Sequence, residues 1–184
     1  MRIIAGLFKG RSLQRPPQTI TRPTSDRARE SIFNILSHLE DFHFSGSVVL
    51  DLFAGSGAMG LEALSRGAVR AIFVELNPVA RHVIAQNIQT LKLSDQANVL
   101  AIDVLKLPMT HTCADLIFLD PPYFQGLETL ALAQLGEKGW CKPGTIVVLE
   151  TSKKTQFDLD NAQFTLLTRR TFSNTAVSIF KVIA

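Results

Sequence analysis

The sequence predicts a doubly wound α/β fold on three observations. Val48 to Gly60 reads V-V-L-D-L-F-A-G-S-G-A-M-G, an apolar run of strong β preference, a glycine turn and the start of a helical pattern. Short apolar runs then alternate with helical patterns along most of the remaining chain, the signature of a mostly parallel sheet. Acidic residues repeatedly close the apolar runs, at Asp51, Glu75, Asp103 and Asp120. In open α/β sheets, ligands bind just beyond those strand ends.

Taken in order, Arg2 to Leu13 reads as a small hairpin with Lys9 and Arg11 near its turn, closed by Pro16 and Pro17. Thr24 or Ser25 is expected to cap a helix with Asp26 in its first turn. Ala28, Ile32, Ile35, Leu36 and Leu39 fall on one face of that helix, and Arg27, Glu30, Asn34 and His38 on another. The glycine turn leads into a helix through Leu61, Leu64 and Gly67. Ala71 to Glu75 is a second strand, and Pro78 opens a helix running to about Leu93. Asn98 to Ile102, Ala114 to Leu119 and Thr145 to Leu149 are further strands, the last ending at Glu150, with a helix over Leu127 to Leu135. Gln163 to Arg170 and Ala176 to Val182 alternate like an antiparallel pair, giving the sheet an antiparallel edge.

A chain of 184 residues, 46% hydrophobic and 19% charged, suits one globular domain and excludes a disordered chain. The reading is a single domain over 1–184, with an N-terminal extension over 1–40 and a catalytic core over 41–184. The net charge of +3 is unevenly spread. Residues 1–30 carry seven basic against two acidic residues, leaving the rest of the chain slightly acidic. A basic arm on a near-neutral body suits a polyanion partner, with Lys9, Arg11 and Arg15 as its leading phosphate contacts. Cys113 and Cys141, and the four histidines, have no metal-ligand spacing, so no metal is expected. No apolar run approaches membrane-spanning length, and too few apolar residues follow Arg2 for a signal peptide. A cytoplasmic, reduced protein is expected, of a size compatible with a monomer.

The glycine turn places backbone N–H groups at a helix N-terminus, where an anionic ligand group is favoured. Gly55, Gly57 and Gly60 also fit the dinucleotide pattern G-x-G-x-x-G. Asp51 argues against a dinucleotide, because its carboxylate would face the two charges of a pyrophosphate. S-adenosylmethionine (SAM) instead carries an α-ammonium, a sulfonium and a single carboxylate. Asp51 can serve its cationic groups while the turn serves the carboxylate. The plain alternative is a strand-ending Asp that only caps the helix. Glu75 is placed to take the ribose hydroxyls, and Asp103 the exocyclic amine of adenine.

Asp120-Pro121-Pro122-Tyr123 resembles the [DN]-P-P-[YFW] signature of SAM-dependent methyltransferases that act on planar amino groups. An exocyclic amine on a base is a poor nucleophile, because its lone pair is delocalised into the ring. The Asp120 carboxylate and the Pro121 carbonyl can hold both N–H groups and aim the lone pair at a methyl group, in a direct, in-line transfer. Pro121 and Pro122 stiffen the loop, and Tyr123 offers a face for base stacking.

The resemblance extends along nearly the whole chain. Met1 to Gly6 with Lys9-Gly10-Arg11, Arg22-Pro23-Thr24-Ser25-Asp26-Arg27-Ala28-Arg29-Glu30 with Phe33-Asn34, Asp51 to Ala68, and Asp120 to Tyr123 are similar to the bacterial 16S ribosomal RNA guanine-N2 methyltransferases that modify guanine 966. The tail matches weakly. The resemblance implies a Rossmann-like methyltransferase fold of about seven strands with a short N-terminal extension. It implies SAM as methyl donor and a guanine in 16S ribosomal RNA, free or in a small ribosomal subunit assembly, as substrate. Asp51, Phe53, Gly55, Gly57, Glu75 and Asp103 are then expected to line the SAM site, and Asp120 to Tyr123 the base. Arg22, Thr24 and Arg27 are expected to close over cofactor or RNA. Two alternatives share these motifs: a methyltransferase acting on another planar amine, such as adenine N6 in DNA or RNA, and a non-catalytic RNA-binding factor on the same fold.

Overall fold

The computed structural model describes residues 1–17, 19, 26–123, 125–155 and 163–183. Seven strands, β1 (Val48–Leu52), β2 (Arg70–Val74), β3 (Ala97–Leu100), β4 (Leu116–Leu119), β5 (Ile146–Ser152), β6 (Phe164–Phe172) and β7 (Thr175–Val182), form one sheet of order β3-β2-β1-β4-β5-β7-β6. Neighbours among β1 to β5 pair in parallel, and β7 runs antiparallel to both β5 and β6. The expected mostly parallel sheet with an antiparallel C-terminal hairpin is therefore the one observed.

The helices are α1 (Asp26–Leu36), α2 (Ala58–Ser65), α3 (Pro78–Leu91) and α4 (Leu127–Glu137), with a short 3-10 turn at Val104–Lys106. The central strands β1, β2, β4 and β5 bury both faces, so successive residues feed two cores. Val49, Phe73 and Phe118 pack with Ile32, Phe33, Leu61 and Ile84 of α1 to α3. Leu50, Val74 and Ile117 pack on the other side with Leu132 and Leu135 of α4 and with Trp140. Gly60 permits the close approach of α2 to the sheet: a Cβ there would sit 2.4 Å from the Phe73 ring. Asn77 caps α3 by accepting from the Val79 and Ala80 amides, and Pro78 opens it as its position predicts.

Several boundaries differ from the sequence reading for local reasons. Helix α1 ends at Leu36 rather than reaching Leu39, because the chain turns so that Phe42 and Phe44 can cover Phe33. Its expected caps, Thr24 and Ser25, lie outside the described residues. β3 stops at Leu100, two residues short of Ile102. β5 continues to Ser152 because β7 pairs with it along that whole length, so Glu150 lies inside the strand, opposite Val177.

The N-terminal hairpin is present in short form: Arg2 and Ser12 make an antiparallel bridge, flanked by backbone bonds from the Ile3 amide to Arg11, the Gly10 amide to Ile3 and the Leu13 amide to Met1. Its remaining backbone groups turn to side chains of α2 and α3. The buried Glu62 carboxylate accepts from the Ile4 and Ala5 amides at 2.7 and 3.0 Å, and the Ser65 hydroxyl accepts from the Phe8 amide. Asn87 exchanges two hydrogen bonds with the Gln14 backbone. At Gly6 (φ 81°) a Cβ would lie 1.8 Å from the Ser65 carbonyl oxygen, so only glycine lets the arm pass there. Ile3 and Leu13 join the same core as Ile32 and Phe33, so the arm is built into the fold that it was expected merely to extend.

Candidate active site

β1 and β4 are neighbours, yet the chain leaves them toward opposite edges of the sheet. This is the topological switch point, where an α/β sheet opens a crevice at its strand ends. A cavity of about 660 Å³ lies there, within the range of small-molecule sites. Asp51, Phe53, Gly55 and Glu75 come to its wall from β1, the glycine turn and β2; Asp120, Pro121, Pro122 and Tyr123 come from the end of β4. The two motifs singled out from the sequence thus face one space.

Asp51 is the buried acid of the site, 3% exposed, with one oxygen accepting from the Gly60 amide at 3.0 Å. Burial pushes its pKa up to about 7; the Gly60 bond opposes this and the charge of Glu75 adds to it. Phe53 follows β1 in the left-handed conformation (φ 58°), uncommon for a bulky side chain and found here at the cavity wall. The Glu75 carboxylate accepts from the Gly55 amide at 2.9 Å and the Asn77 amide at 2.8 Å, tying the glycine turn to the loop after β2.

Two expected cofactor residues stand apart. Gly57 caps α2, its amide bonded to the Ala54 carbonyl, and does not line the cavity. Asp103 also lies off the cavity. Its carboxylate accepts from the Leu105 amide at 2.9 Å and starts the 3-10 turn.

On the β4 side, Pro121 is buried while Asp120 remains partly accessible. Tyr123 is held at its far end: the hydroxyl donates to Glu150 at 3.0 Å and lies 2.9 Å from the Thr175 hydroxyl. Burial pushes that phenol well above its ordinary pKa, so it stays protonated. Glu150 also lines the cavity, and the continuation of β5 past Leu149 is what brings it there.

The basic residues divide. Arg15 lines the cavity, while Lys9 and Arg11 are exposed on the arm away from it. Arg27 faces a separate shallow groove on α1, shared with His38 and with Arg170 of β6. Arg22 and Thr24 lie outside the described residues. In the sequence Arg29 counts toward the charge of the arm and falls within the Arg22 to Glu30 segment of the resemblance, with no role of its own. It is 1% exposed, lines the cavity, and donates through Nη2 to the Arg2 carbonyl and Asp26. Its one legible signal was its position on α1, one helical turn before the buried Ile32. Among the described residues no group of three or more His, Cys, Asp or Glu side chains could hold a metal. No described helix is long and apolar enough to cross a membrane.

The sheet order, the antiparallel β7 and a strand-end cavity joining an acidic glycine turn to Asp-Pro-Pro-Tyr define a methyltransferase of the SAM-dependent class. A solved structure from Escherichia coli, yhhF, named as a candidate methyltransferase, superimposes with a TM-score of 0.86 at 31% identity, covering 100% of this chain and 98% of that one. An RNA methyltransferase from Salinibacter ruber, solved with S-adenosyl-L-homocysteine, shares the fold with a TM-score of 0.68 at 17% identity, covering 88% and 94%. The family model described as Conserved hypothetical protein 95 matches residues 1–181, and the chain belongs to that family. Ribosomal RNA small subunit methyltransferase D of Haemophilus influenzae is 41% identical over 157 residues, 83% of this chain and 79% of the relative.

Proposed function

We propose that the protein transfers a methyl group from SAM to the exocyclic N2 amine of a guanine in 16S ribosomal RNA. The observation that carries this reading is the convergence of Asp51 and Glu75 with Asp120 to Tyr123 on one cavity. The donor set fits the cofactor. A buried carboxylate suits the α-ammonium, and Glu75 keeps lone pairs for ribose hydroxyls beyond the two amides that it already holds. Bound SAM supplies an electrophilic methyl group on its sulfonium.

The protein's part is positioning and electrostatics. The Asp120 carboxylate and the Pro121 carbonyl accept the two N–H groups of the amine, and the paired prolines keep that carbonyl in place. The Tyr123 ring stacks on the base, its orientation fixed by the hydroxyl's bonds to Glu150 and Thr175. Lys9, Arg11 and Arg15 hold RNA phosphates, with Arg27 and Arg170 as a second contact; Arg22 and Thr24 close over cofactor or RNA. One chain carries both halves of the site, which supports action as a monomer. Ribosomal RNA of the small subunit is favoured as substrate by the name of the Haemophilus influenzae relative, and guanine N2 by the sequence resemblance.

The test is a single-turnover assay with methyl-labelled SAM offered small ribosomal subunits, naked 16S RNA or duplex DNA. Label in the RNA of either ribosomal substrate is the expected result. Label in DNA alone, or in no acceptor, defeats the proposal.

A further inference from the structure

The amino-acid end of SAM carries a carboxylate, and the glycine turn does not leave its glycine amides open to receive it. The Gly55 amide is bonded to Glu75, that of Gly57 to the Ala54 carbonyl and that of Gly60 to Asp51. The sheet side of the cavity is acidic, with Asp51, Glu75, Asp120 and Glu150 along it, and would repel an anion.

Arg29 of α1 lines the same cavity and has the complementary character. It is 1% exposed, and its Nη2 is fixed by the Arg2 carbonyl at 2.6 Å and Asp26 at 3.1 Å. Its Nε and Nη1 are buried without a hydrogen-bond partner among the described residues. Buried donors of this kind are normally satisfied, and on a permanent cation they call for an oxyanion. Burial pushes the guanidinium below its ordinary pKa, with Asp26 and Glu62 opposing this and Arg15 adding to it, and an anion at the two unpartnered donors would oppose it further.

We infer that Arg29 is the receptor for the α-carboxylate of SAM, acting across the cavity from Asp51, which faces the α-ammonium. This rests on the SAM reading of the cavity. A carboxylate is favoured over an RNA phosphate because Arg29 is buried and anchored, whereas Arg15, Lys9 and Arg11 are the exposed cations that a bulky polyanion can reach. The assignment gives α1 a binding role in addition to its packing role.

The test uses SAM and decarboxylated SAM, which share adenosine, sulfonium and amine and differ in the carboxylate. Calorimetry on the unmodified protein should show SAM bound about 10- to 100-fold more tightly, the worth of a charge-assisted contact. Arg29→Met should bring SAM down to the level of decarboxylated SAM and leave the latter's affinity unchanged, which also reports an intact fold. Arg29→Lys keeps a cation and should retain part of the preference. The inference is overturned if the unmodified protein does not distinguish the two compounds, or if either variant keeps the full preference. It is equally overturned if Arg29→Met binds SAM normally but loses affinity for 16S RNA, since the guanidinium then serves a phosphate. A protein that binds neither compound overturns the SAM reading itself.

Discussion

Asp51 makes cofactor binding depend on pH in a way that can be calculated. Its pKa is about 7 when the cavity holds no cation, and only the ionised form attracts an α-ammonium. With apparent affinity scaled by the competent fraction, about one-eleventh of the protein is competent at pH 6 and about ten-elevenths at pH 8. SAM should therefore bind about 10-fold more tightly at pH 8 than at pH 6. Asp51→Asn keeps an oxygen for the Gly60 amide but cannot ionise, so its affinity should be weaker and flat with pH. Stability should move the other way. A carboxyl whose folded pKa is raised from 3.8 to about 7 favours the fold below about pH 4 and loses that contribution as pH rises through 7. At pH 8 the Asn variant should therefore melt no lower than the unmodified protein while binding SAM less well. Calorimetric titrations at pH 6, 7 and 8 on both proteins decide it. A flat affinity in the unmodified protein, or the same slope in Asp51→Asn, would refute the reasoning.

Three further perturbations separate chemistry, architecture and RNA contact. Asp120→Ala should lower the single-turnover rate by roughly 10²- to 10³-fold with SAM affinity little changed, and Asp120→Asn, which keeps an acceptor, should retain more activity; full activity in the Ala variant would remove Asp120 from the mechanism. Glu62→Ala strips the partner from the Ile4 and Ala5 amides and from Arg66, a loss of about 3–5 kcal/mol for a buried ion pair broken on one side. At this chain length that corresponds to a fall in Tm of roughly 6–20 °C, with faster amide exchange at residues 4–8; a Tm within 2 °C would show that the arm is not held as described. Replacing Lys9 and Arg11 together by Ala should flatten the log–log salt dependence of RNA binding by up to about 2 units and leave SAM affinity unchanged; an unaltered slope would return these residues to the solvated surface.

What the sequence made legible is local. The parallel strands are continuous apolar runs because both faces of Val49–Leu50 or Ile117–Phe118 are buried, and Pro78 and the glycine turn punctuate them by backbone chemistry that needs no partner. What it hid depends on distant partners. The arm reads as a hairpin from its own residues and forms a short one, but the Ile4, Ala5 and Phe8 amides bond to Glu62 and Ser65, more than 50 residues away, which no local pattern shows. Glu150 read as the end of a strand, because the pairing with β7 that extends β5 is invisible from residues 145–150 alone. Asp103 reads as a strand-end acid like its counterparts, but β3 stops three residues earlier and its carboxylate caps the next turn. Arg29 looks like one more cation of a basic arm until α1 is packed, when the same side chain becomes buried beside the cavity. Only its place one helical turn before the buried Ile32 sets it apart from the exposed Arg27 two residues earlier.

The central claim is chemical, and the product tests it most directly. Small-subunit RNA incubated with the protein and methyl-deuterated SAM, then digested to nucleosides and analysed by mass spectrometry, should contain deuterated N2-methylguanosine. Deuterium in N6-methyladenosine, or in no nucleoside of that RNA, would contradict the account.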